Sequence, residues 1–175
     1  MRRLALFAAL SLFAAPFAAS AQTMINAEQF SEKVAVSDMF EIESGKLAQQ
    51  KGKNAEVKKF GEQMVQDHTK TTTELKELIN SGKVKATPPS AMDNEHQDKL
   101  KQLQSTSGDQ FDSAYASAQV KAHEEAVTLF RNYSTSGENA DLKNWAAKTL
   151  PALQLHLQHA KSLTSAAPTT GSSTR

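Results

Sequence analysis

Four apolar runs at helical spacing, joined by two tight turns and one long proline-bearing connection, constrain this chain more than any other feature. In the first run, from about Ala27 to Gln50, Phe30, Val34, Phe40, Leu47 and Ala48 share a stripe, and Asn26 with Gln29 resembles a capping box. After a turn at Gly52 and Asn54, the second run extends from about Ala55 to Asn80 through Val57, Phe60, Met64, Leu75, Leu78 and Ile79. So short a link makes the two helices antiparallel neighbours. The stretch SGKVKATPPSAM then forbids helix at its prolines, and DNEHQDKLKQLQ predicts a short helix before STSGD breaks the chain again. The third run, from about Gln110 to Tyr133, places Phe111, Tyr115, Ala118, Ala122, Ala126 and Leu129 in register. The fourth, from about Asp141 to Leu163, aligns Leu142, Trp145, Ala146, Leu153, Ala160 and Leu163, with Pro151 expected to kink it or loosen one turn. Helix pair, long crossover, helix pair is the connectivity of an all-α, ferritin-like four-helix bundle; a plain up-down-up-down bundle is the alternative.

The N-terminus reads as an address rather than as fold. Arg2 and Arg3 precede an apolar run from Leu4 to Phe17, and Ala19-Ser20-Ala21 is a small-x-small cleavage signal. The expected divisions are a signal peptide over residues 1–21, the bundle over 22–164 and a polar, disordered tail over 165–175. The apolar run is short for a membrane span and Pro16 interrupts it, so no transmembrane segment is expected in the mature chain. The expected location is the periplasm, with association to the outer membrane left open.

There is no cysteine, which excludes thiolate catalysis, thiolate metal sites, disulfides and a lipid-bearing cysteine after the leader. Loss of the two leader arginines takes the formal charge from +1 to −1, and acids and bases are interspersed. Neither a nucleic-acid footprint nor a polybasic membrane patch is present. No nucleophile elbow, P-loop or dinucleotide-binding glycine motif occurs.

Chemistry, if any, must come from ionisable side chains sharing a face with the apolar ones. Glu41 lies between Val34 and Ala48 on the first helix; His68 follows Met64 by four on the second; His156 follows Leu153 by three on the fourth. His159 falls nearer the edge of its helix, and His123 and Glu125 flank the stripe of the third. Such groups are costly to bury unless they satisfy one another or hold an ion. Two solutions stand: a hydrogen-bonded polar core, or a metal site for Zn, Fe, Mn or Cu with Glu41, His68 and His156 as ligands and His123 and Glu125 as further candidates. Asp93 and His96, on the short crossover helix, are expected to be solvated.

Several segments together resemble a bacterial family of exported proteins catalogued as domain of unknown function 4142. FEIESGKLAQQKGKNAEVKKFGEQMVQDHTKTTTELKEL resembles its first helix pair, and the set MVQDH, FDSAY, AHEEA and TLPALQLHL is specific in combination. The resemblance implies a ferritin-like bundle of the cell envelope, often given an outer-membrane label, with no established reaction. True di-iron members of the ferritin-like class use Glu-x-x-His on two helices, a spacing this chain lacks, so a ferroxidase centre is not expected. The leading expectation is therefore a non-enzymatic protein that binds an envelope partner or a second copy of itself, or supports stress tolerance. The strip Ala35, Met39 and Ile42 is available for a partner or for the crossover. The alternative is a metal-binding protein with a degenerate site.

Overall fold

The computed structural model describes residues 25–166, and among these all regular structure is helical. Helix α1 (Ala27–Lys51) opens on the expected capping box: the Asn26 side chain accepts from the Gln29 amide at 2.8 Å, and the Asn26 amide donates to Gln29 Oε1 at 3.1 Å. Helix α2 (Ala55–Asn80) starts at Asn54, whose side chain caps Glu56 N, while the Asp112 carboxylate accepts from the Lys53 and Asn54 amides. Helix α3 (Asn94–Ser105) is capped by Asp93. Its C-terminal end is held by Lys51 Nζ, which donates to the carbonyls of Gln104 and Thr106. One 3-10 turn, Gly108–Gln110, leads into α4 (Phe111–Ser136), and α5 (Ala140–Ala166) closes the order.

α1 packs along α2 and α4 along α5; the two hairpins meet through α1 with α4 and α2 with α5, and α3 lies over α1 and α4. The result is a helical bundle, as the stripes predict. α5 runs as one helix through Pro151, the exposed proline forfeiting one backbone bond in a helix of 27 residues. Two details differ. Residues 165 and 166, expected in the tail, belong to this helix; the rest of the tail and the leader lie outside the described residues. On α4 the stripe drawn through Ala118, Ala122 and Leu129 is only half-buried, and the buried row runs Tyr115, Gln119, His123, Ala126, Phe130. Hydropathy drew the line along alanines and excluded the glutamine and histidine that face the core.

The strip on α1 meets the crossover: Met39 and Ile42 share a shallow groove with Ser90, Ala91 and Met92. Leu155 is the single large hydrophobic side chain that is exposed among the described residues, and no helix there is long and apolar enough to cross a membrane.

α1 and α2 touch backbone to backbone at Gly45 and Gly61. A β-carbon on Gly45 would stand 2.6 Å from the Gly61 carbonyl oxygen, and one on Gly61 would stand 2.7 Å from Ala48 Cβ. Gly61→Ala should therefore destabilise the fold by about 1–2 kcal/mol, the overpacking outweighing a helix-propensity gain of about 1 kcal/mol. A lower urea midpoint with an unchanged slope checks this.

The apolar core is divided. One cluster gathers Phe30, Val34, Leu75, Phe130, Trp145 and Leu153; the other gathers Phe40, Phe60, Met64, Phe111, Tyr115 and Ala160. Between them, at the same level on all four long helices, lies a polar layer: Asp38 and Glu41, His68, Gln119 and His123, and His156.

Candidate metal centre

Each long helix contributes to this layer because its polar residue replaces an apolar one within the buried row. Asp38 follows Val34 by four, His68 follows Met64 by four, His123 precedes Ala126 by three, and His156 follows Leu153 by three. All are within the core: Asp38, His68 and His156 are 3% exposed, and Glu41 and His123 are 1% exposed.

The three imidazoles converge. His68, His123 and His156 each present one ring nitrogen, and these nitrogens lie within 4.8 Å of one another. Ring centroids are 5.4–5.8 Å apart, and no hydrogen bond joins one ring to another among the described residues. Instead each ring is fixed from behind. His68 Nδ1 donates to Asp38 Oδ1 at 2.8 Å, His123 Nδ1 donates to the Gln119 carbonyl at 2.9 Å, and His156 Nε2 donates to Asp67 Oδ2 at 2.9 Å. The acceptors assign the tautomers, because a carboxylate or carbonyl offers no proton. Asp38 is itself held by the Thr71 and Thr72 hydroxyls, which donate to its Oδ2 at 2.9 and 3.0 Å.

The opposite nitrogen of every ring, His68 Nε2, His123 Nε2 and His156 Nδ1, is buried without a hydrogen-bond partner. Buried polar atoms are rarely left so. One orphan could be packing; three on neighbouring rings, each with its other nitrogen anchored by an acceptor, form the arrangement that holds metal-ligating histidines in place.

Burial leaves two of the rings uncharged. Burial drives His123 down to about 3, with the His68 charge adding to the effect. Burial likewise drives His156 down to about 4, followed by the charges of His123 and His68. Both rings are neutral at pH 7 with a lone pair to offer. Burial opposes a charge on His68 as well, but the hydrogen bond and charge of Asp38, with Glu41 and Asp67, prevail and raise its pKa. The carboxylates that favour a proton on His68 favour any cation at the centre. Glu41 is raised by burial, against the opposing pull of His68, the Gln119 amide and His156.

Of the sequence-derived candidates, Glu41, His68, His123 and His156 are brought together in one layer. Glu125 is not: it is exposed and lines a surface groove between α1 and α4, because it stands two positions past His123 and so turns away from the core. Glu41 lies beside the triad, its Oε1 4.0 Å from His123 Nδ1, rather than among the converging nitrogens. His159 is half-buried at the edge, packed edge-on to Phe60, and His96 is tied to Asp93 on the crossover. Asp38 and Gln119 were not singled out from the sequence. The available signal was spacing: Asp38 stands three before Glu41, and Gln119 stands midway between Tyr115 and His123 at intervals of four.

No curated protein and no solved structure matches the chain. The family model described as Domain of unknown function (DUF4142) matches residues 12–163, running through all five helices and every residue of the histidine layer. With most of its length so covered, the chain belongs to the DUF4142 family.

Proposed function

We propose that this protein is an exported, ferritin-like bundle that binds one transition-metal ion through His68, His123 and His156. Two observations carry the reading: the three imidazoles bring one ring nitrogen each within 4.8 Å of one another, and each ring has one nitrogen held by an acceptor and the other left without a partner. An all-imidazole donor set suits zinc or copper. It suits manganese poorly, and it lacks the carboxylate of non-haem iron sites. Zinc–nitrogen bonds of about 2.0–2.1 Å place ligand nitrogens roughly 3.3 Å apart, so uptake draws the rings inward from their 4.8 Å spread. Export rests on the leader reading of residues 1–21, which places the site in the periplasm, where free zinc and copper would reach it. The partner-binding alternative would use Met39 and Ile42, which are half-buried and line a shallow groove with the crossover.

The test is to purify the protein from the exported fraction and measure its N-terminus and metal content. A chain beginning at Gln22 with one zinc or copper per molecule is expected. At a hundredfold excess over Kd, metal should raise the melting temperature of the metal-free protein by roughly 5–10 °C. His68→Ala, His123→Ala and His156→Ala should each abolish the rise, and Glu125→Gln should leave it intact. Wild-type protein that takes up no metal and shows no thermal shift with either ion refutes the site; an uncleaved cytoplasmic chain refutes the location.

A further inference from the structure

We infer that the metal held by the three histidines keeps one coordination position for an exchangeable, water-sized ligand, hydrogen-bonded by Glu41, Tyr115 and Gln119; this rests on the metal reading above. Three imidazoles leave a tetrahedral ion one position short, as in zinc sites that carry a water. The observation that fills it is independent of the triad. Among the described residues four further buried polar atoms have no hydrogen-bond partner: Tyr133 Oη, within the cluster of Phe30 and Trp145, and Glu41 Oε2, Tyr115 Oη and Gln119 Oε1, on the side of the layer that faces the other cluster. An ion satisfies the histidine nitrogens and leaves the last three unsatisfied. Tyr115 and Gln119 are 0% exposed and Glu41 is 1% exposed, so bulk water does not reach them.

These residues adjoin the triad. Tyr115, Gln119 and His123 follow one another at intervals of four along α4, and so stack on one face. Glu41 stands across from that row on α1, its Oε1 4.0 Å from His123 Nδ1, and within electrostatic reach of His68, His156 and Tyr115. Gln119 donates its amide to Ser44 Oγ at 3.2 Å, which turns its carbonyl oxygen free as an acceptor. A carboxylate oxygen, an amide carbonyl and a phenol offer two acceptors and a donor. That is the complement of a metal-bound water, which has two protons to give and one lone pair left. Glu41 falls outside the 4.8 Å set of nitrogens, which suits contact through a bound ligand better than direct ligation. The burial of the whole layer sets the size limit: a larger molecule would have to part the helices.

The experiment loads metal-free protein with one equivalent of cobalt(II) and titrates azide while following the cobalt absorption bands. The expected result is a saturable change at one azide per cobalt. Tyr115→Phe and Glu41→Gln should keep one cobalt per chain; azide has no proton to give, so Tyr115→Phe should weaken it by about tenfold through loss of a donor, and Glu41→Gln should tighten it by about tenfold through loss of a facing carboxylate. Far-UV circular dichroism identifies any variant that has lost its helices, and the near-isosteric Tyr115→Phe guards against loss of fold in the other. Cobalt bands indifferent to azide overturn this inference alone, as does a folded Glu41→Gln protein that no longer holds cobalt, since Glu41 would then be the fourth ligand. Azide affinity unchanged in both variants overturns the role given to Glu41 and Tyr115. Absence of cobalt bands in the wild type overturns the metal site itself.

Discussion

Asp38→Ala should unfold at far lower denaturant than the wild type, with a loss of about 3–5 kcal/mol. Asp38 is 3% exposed and accepts three hydrogen bonds, from His68 at 2.8 Å and from the Thr71 and Thr72 hydroxyls at 2.9 and 3.0 Å. Truncation leaves His68 as a buried base with neither nitrogen satisfied, and strips two hydroxyls on α2 of a shared acceptor. Asp38→Asn keeps the shape and one acceptor oxygen, so it should cost less. Urea unfolding of the metal-free proteins checks both. Loss of under about 1 kcal/mol in Asp38→Ala would mean that the contact with His68 carries no weight in the fold. The same variant should weaken metal binding by roughly 10–100-fold, because the acceptor behind His68 fixes its tautomer and ring orientation.

Acid should destabilise the metal-free protein by about 3 kcal/mol between pH 6.5 and pH 5. His123 and His156 titrate at about 3 and about 4 in the fold, against the ordinary 6.5 of the unfolded chain. Between those values the unfolded chain binds more protons, so stability falls as pH falls, by about 2 kcal/mol for each ring at pH 5. His68 has the opposite sign: its raised pKa contributes stability that is complete below 6.5 and is lost as pH rises through the folded value. It therefore offsets nothing inside the acid window. Glu41 does offset part, because its raised carboxyl holds a proton in the fold above 4.5 while the unfolded chain has released it. The melting temperature should drop by roughly 10 °C from pH 6.5 to pH 5, and His123→Gln should flatten the slope. A melting temperature constant over that range would show that the two rings are not held neutral by burial.

The helices were legible because each carries a local signature: an apolar stripe, a cap such as Asn26 with Gln29, and a glycine or proline break. The candidate site was legible in part. Glu41, His68 and His156 stood out because each interrupts an apolar stripe on its own helix. By spacing alone His123 flanks its stripe, and Asp38 and Gln119 do not stand out, for one physical reason. A polar residue inside a buried row is indistinguishable by hydropathy from one on a wet face until the row's orientation is known. On α4 the small, indifferent Ala118 and Ala122 drew the stripe away from the side that Tyr115 and Phe130 bury. The helical ending at residue 166 differs from expectation because packing along α5 overrides local propensity.

By itself the sequence determined four amphipathic helices, their pairing across short turns, the long crossover, and the presence of ionisable groups on faces that must be buried. These follow from spacing and turn chemistry within a few residues of chain. Only the tertiary structure decided that His68, His123 and His156, from three helices, meet with one nitrogen of each ring in a common cluster, and that each ring has one nitrogen anchored and one unpartnered. That outcome depends on the rotation and register of one helix against another. A shift of a single residue turns a helix by 100°, enough to move a histidine from the core to water, and no local pattern specifies it.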